Sequence, residues 1–140
     1  MIKKRDVITV LLPFPNINAT LAKKPHMYIC LEDKQPKKFL KCQSFKAHFR
    51  KPTTPPYQFI QEMPDLKHNP FKKPTLIDCD KSFSTDHHVQ ISEKLLTTSR
   101  RDISEALFGK LTEKIKHDNF KEVVLESKII VQLNDEIRSF

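Results

Sequence analysis

The apolar residues of this chain change period once, and that change constrains the fold more than any other feature. Up to about residue 92 they come in short runs of strand type, and beyond residue 100 they recur at helical spacing. Residues 6–13 (DVITVLLP) and 25–33 (PHMYICLED) are rich in β-branched and aromatic types, which suit a pleated, half-buried surface. Residues 38–46 (KFLKCQSFK) alternate imperfectly, with Phe39, Lys41 and Gln43 on one face and Leu40, Cys42 and Ser44 on the other. Prolines lack the ladder donor, so 50–56 (RKPTTPP) reads as a stiff loop. Further strands are expected over 57–64 (YQFIQEMP), 74–83 (PTLIDCDKSF) and 84–92 (STDHHVQIS).

In the last third, Ser99 followed by Asp102 reads as a weak capping box. Ile103, Ala106, Leu107, Leu111 and Ile115 then predict a helix over about 100–116. His117, Asp118 and Asn119 break it, and Val124, Leu125, Ile129, Leu133 and Ile137 predict a second helix from Phe120 to Ile137. Strands followed by helices give an α+β fold. The expectation is one domain over 1–140, with a small, strongly curved antiparallel sheet or barrel over about 5–92 and helices over about 100–137.

Composition supports a core and limits the partners. Hydrophobic residues are 38% of 140, so no metal or disulfide is needed to hold a domain of this size. Cys30, Cys42 and Cys79 form no CxxC pair and sit in apolar runs, which predicts buried free thiols and no zinc site. Thr9, Pro13 and Pro15 interrupt the apolar N-terminal run, and no small-residue cleavage site follows it. No stretch reaches the ~20 apolar residues of a membrane span, so a cytoplasmic protein without a membrane contact is expected. The net charge of +8 favours a polyanionic partner, nucleic acid or an acidic protein, over simple solubility.

The order of segments resembles that of PemK/MazF-family toxins. DVITVLLPFPN, a polar loop and KKPHMYICLED are similar to that family's opening strand, loop and second strand. PTLIDCDKSFSTD resembles the segment in which an apolar strand ends in a short polar site. ISEKLLTTSRRDISEALFGKLTEKI resembles its closing strand, turn and terminal helix. The likeness covers about residues 4–116, and the final 24 residues have no counterpart in compact members. It implies an SH3-like barrel with helices, assembled as a homodimer. It also implies metal-independent cleavage of single-stranded RNA without a cofactor, and neutralisation by an acidic antitoxin.

The chain departs from the family pattern at several points. Lys24 stands where the family has Arg before Pro, keeping the charge without the bidentate fork. The family's hydroxyl residue maps near Gln43 and Ser44. Asp80 matches the Asp of an Arg-x-Asp pattern whose Arg position is Asp78, and Arg5 replaces the glycine ahead of the first strand.

Metal-free RNA cleavage needs a base for the 2′-OH, cations for the phosphorane and an acid for the leaving oxygen. Lys24, Asp80 and Ser44 are the catalytic candidates, and Lys23, His26, Lys41, Gln43, Lys46 and Asp78 the RNA-binding ones. Asp78 and Asp80 stand i, i+2, so on a strand they share a face and one carboxyl is raised. A solvated strand end is the plainer reading of both. Phe39, Lys41, Phe45, Lys46, His48, Phe49 and Arg50 interleave aromatic and basic types, which suits base stacking or, equally, a core edge. His87 and His88 face opposite ways and make a poor metal pair. A non-catalytic basic barrel and a gyrase-type protein poison are the alternatives.

Overall fold

The computed structural model of the chain describes residues 1–12 and 25–140. Lys23 and Lys24 lie outside the described residues. The fold is α+β: a mostly antiparallel sheet with two helices among the described residues. Strand β1 (Val7–Val10) pairs with β2 (His26–Cys30), and β2 with β3 (Phe39–Ser44), all antiparallel. The other side of β3 is shared. Its C-terminal half pairs with β5 (Thr75–Asp78), which carries β4 (Phe59–Glu62) on its outer edge. Its N-terminal end pairs with β6 (Lys81–Thr85). Strand β7 (Val89–Ile91) then leads toward helix α1 (Glu105–Lys114).

Both faces of the sheet are covered, and strand alternation sorts the residues between two cores. Ile8, Val10, Tyr28, Cys30, Phe39 and Phe83 belong to one, where the Tyr28 and Phe83 rings meet edge-on at 6.0 Å. Val7, Ile29, Leu40, Cys42 and Ile77 belong to the other, under Leu107 and Leu111 of α1. The three cysteines are buried and free, as their apolar runs predict.

The expected run over 74–83 breaks in two at Cys79 and Asp80, and the strand expected over 84–92 divides between the end of β6, at Ser84 and Thr85, and the short β7, Val89–Ile91. Closure into a barrel is not seen: among the described residues neither β4 nor a later strand pairs with β1. Instead, Leu96 and Asp102 make isolated bridges to Ile8 and Asp6.

Those bridges also move the first helix. Val7 donates to the Arg101 carbonyl and Ile103 to that of Arg5, so this backbone is committed to the sheet edge and cannot coil. Arg101 fixes the register by a bidentate pair with the buried Asp6 carboxylate, at 2.9 and 2.7 Å. The helix therefore starts five residues later than Ser99 implies, with Ser104 as its cap, accepting from the Leu107 N–H at 3.2 Å.

The second expected helix, Phe120–Ile137, is a correction. The chain forms strand β8 (Lys121–Leu125), helix α2 (Ser127–Leu133) and strand β9 (Ile137–Ser139). β8 adds to β6 in parallel, and β9 pairs with β7. The helical reading grouped Val124, Leu125, Ile129, Leu133 and Ile137 on one face. Val124 is instead 62% exposed on the strand while Leu125, Ile130 and Ile137 are buried. Pairing with β6 overrides the weak helical period, and the helix starts only where the Asp86 carboxylate accepts the Ser127 N–H at 2.8 Å.

Among the described residues no helix is long and apolar enough to cross a membrane.

Candidate active site

The break between β5 and β6 creates the site. Cys42 of β3 pairs with Ile77 and Phe39 with Phe83, so Leu40 and Lys41 face the five residues 78–82. Such an excess of residues bends the strand and re-aims its side chains. Continuing the β3–β5 register by one residue sets Lys41 opposite Asp78. Tyr28 pairs with Lys41 on one side and Phe59 with Asp78 on the other, giving a row of four across β2, β3, β5 and β4. Beside it opens a cleft of about 230 Å³ lined by Lys41, Gln43, Pro55, Pro56, Asp78, Asp80 and Lys81.

Burial gives this cleft its chemistry. Asp78 is only 5% exposed, and desolvation pushes its carboxyl above the usual range, opposed by the Asp80 N–H it accepts at 2.8 Å and by the Lys81 charge. Burial also pulls the half-buried Lys41 ammonium down to about 8, with the Asp78 charge working against the shift and Lys81 with it. A carboxyl raised and an ammonium lowered, side by side, are the kind of pair that can pass protons to and from a bound molecule.

Asp80 has a different task. Its two carboxylate oxygens accept the N–H groups of Tyr57 and Gln58, at 2.6 and 2.9 Å, and so tie the proline loop to the floor of the cleft. Of the two carboxyls, Asp78 is thus the buried one with a raised pKa, and Asp80 the one hydrogen-bonded to the proline loop.

The remaining candidates are elsewhere. Ser44 is exposed and by alternation lies on the opposite face of β3 from Lys41. With His26, Met27, Thr75, Lys72, Lys73 and Lys94 it lines a second groove of about 510 Å³, whose edge Gln43 also reaches. Lys46 is exposed just before a 3₁₀ turn, Ala47–Arg50. The structure thus brings together Lys41, Gln43, Asp78 and Asp80, and separates Ser44, His26 and Lys46 from them. Sequence reasoning missed Lys81 and the walls Pro55 and Pro56. Residues 34–61, which supply Lys41, Gln43, Pro55 and Pro56 to the cleft, hold seven Lys and Arg and no Asp or Glu.

Among the described residues no group of three or more His, Cys, Asp or Glu is placed to hold a metal ion. Burial pushes the thiols of Cys30 and Cys79 up to about 11 and 12, and that of Cys42 higher still, so they stay protonated and unreactive. No family model, no curated protein and no solved structure matches this chain.

Proposed function

We propose that the chain is an endoribonuclease that cuts single-stranded RNA without a metal at the Lys41–Asp78 cleft. The carrying observation is that pair: a half-buried lysine and a buried carboxyl, each shifted toward neutrality, with Lys81 on the same wall. Ionised Asp78 takes the proton of a ribose 2′-OH, and the 2′-oxygen attacks the adjacent phosphorus. The bond to the 5′-oxygen breaks, and protonated Lys41 supplies that oxygen's proton. Lys81 offsets the charge gathering on the phosphorane. The products are a 2′,3′-cyclic phosphate and a 5′-hydroxyl, and solvent exchange resets both groups.

The resemblance to PemK/MazF toxins extends the proposal. It makes the protein the cytoplasmic toxin of a toxin–antitoxin pair, acting as a homodimer and silenced by an acidic antitoxin that covers the basic surface. It adds Lys24 as a further cation, and reads the bent β5–β6 run as the corner of an SH3-like barrel. Incubation with a single-stranded RNA in EDTA tests the activity. Cyclic-phosphate ends are expected, and intact RNA at high enzyme concentration rejects cleavage. Binding without cleavage would then favour a basic binding module, and growth arrest without RNA binding a protein-directed poison.

A further inference from the structure

Adjoining the cleft is a surface that proton transfer does not use. After β3 the chain turns through Phe45, the 3₁₀ turn Ala47–Arg50 and a proline loop into β4. Phe45 meets Phe49 at 6.2 Å and Phe59 at 6.3 Å between ring centroids, and the His48 ring lies 4.2 Å from that of Phe49. The Arg50 guanidinium sits over Phe45 at 5.4 Å. The three Phe rings are half-buried, forming a supported floor, whereas His48, Arg50 and Tyr57 are exposed, Tyr57 by 63%. Lys46 and Lys51 add charge, and no acidic residue occurs between 34 and 61. The shelf is joined to the cleft rather than merely near it. Phe59 stands opposite Asp78, and Asp80 holds the N–H groups of Tyr57 and Gln58.

We infer that this shelf is a nucleobase subsite, on which an unpaired base next to the phosphate in the cleft stacks against His48 and Tyr57 while Lys46, Arg50 and Lys51 hold the flanking phosphates. The inference rests on the RNA reading of the cleft. Every base has a π-face, so stacking on exposed rings tolerates sequence, and the cationic side chains fit the backbone of a single strand. A duplex keeps its bases stacked inside, so the occupant is single-stranded.

The test uses an RNA oligonucleotide 2′-O-methylated throughout, which cannot be cut by 2′-OH attack, carrying 2-aminopurine as its fluorescent base. Binding to the intact protein is expected to quench the fluorescence. The double substitution His48→Ala and Tyr57→Ala should relieve that quenching and weaken affinity by about tenfold or more. His48→Phe with Tyr57→Phe, which keeps both rings, should retain both. Equal quenching in the alanine variant, binding without quenching in the intact protein, or no binding at low salt overturns the subsite. Cleavage of unmodified RNA is scored separately: its absence, with quenching intact, removes the nuclease and leaves the stacking surface.

Discussion

The two clefts on opposite faces of β3 differ in one respect that decides what each can do. The Lys41 cleft takes its charges partly out of water, and the groove lined by Lys72, Lys73 and Lys94 leaves its lysines exposed. An exposed lysine offers only attraction that salt screens. A half-buried lysine beside a buried carboxyl costs stability and in return brings the proton affinities of the two groups closer together. The sheet's bulge makes the difference, because it adds Asp80 and Lys81 to the one cross-strand neighbour, Asp78, that the register gives Lys41.

The largest expected effect sharpens that contrast directly. Lys41→Met and Asp78→Asn should each lower single-turnover RNA cleavage by ~10²- to 10⁴-fold, the usual cost of losing one proton-transfer or charge-stabilising group. Asp78→Asn keeps an oxygen for the Asp80 N–H, so the loop geometry should survive. Normal cleavage by both variants would break the assignment to this cleft.

Next comes pH, where the two groups act with opposite signs. Activity requires Asp78 ionised and Lys41 protonated, so the rate should rise through a value above the ordinary carboxylate range and fall again near pH 8. Stability follows its own rule. The folded Lys41 value lies below the unfolded one of 10.5, so between about pH 8 and 10.5 the unfolded chain binds the extra proton and stability rises with pH. Asp78 works the other way: its folded value lies above 3.8, so stability falls as pH rises out of the acid range. Thermal melts of Lys41→Met should lose the alkaline rise, and an unchanged rise would mean that Lys41 is solvated.

How much of this was legible in the sequence depended on whether the information was local. β1, β2, β3 and α1 follow from alternation and period, since each buries its own apolar residues against the shared sheet. β8 was misread because Lys121–Leu125 becomes a strand only by pairing with β6, some 40 residues earlier. The site divides the same way. Asp78 and Asp80 do line one cleft, but through the break after Asp78 and not through the strand alternation that their i, i+2 spacing suggested. Which of them is buried follows the register with β3 and the N–H groups that Tyr57 and Gln58 donate to Asp80, neither visible in a local window. Lys41 was legible as an RNA-binding candidate, but its partial burial beside Asp78 was not, for the same reason.

A smaller effect concerns the exposed groove. If it tracks part of the RNA backbone, Lys72→Gln, Lys73→Gln and Lys94→Gln should each reduce the slope of log affinity against log salt by about one, without moving the pH profile of cleavage. An unchanged slope would remove the groove from the binding surface and leave the Lys41 face to carry it. A shifted pH profile would erase the distinction between the two clefts.

The smallest expected effect falls on Ser44, which the family resemblance places among the catalytic residues. It is exposed at the end of β3, and alternation turns it away from Lys41 toward the groove beside Thr75, its cross-strand partner. A hydroxyl there has no path to the 2′-OH or to the leaving oxygen of a phosphate held by Lys41 and Lys81. Ser44→Ala should change the cleavage rate by less than about threefold, and stability by no more than the ~0.5 kcal/mol of an ordinary surface substitution. A loss near that expected for Asp78→Asn would carry the reaction to the opposite face of β3. The groove with His26, Lys72 and Lys73 would then be the catalytic one, and the buried pair at Lys41 a structural cost of the bulge.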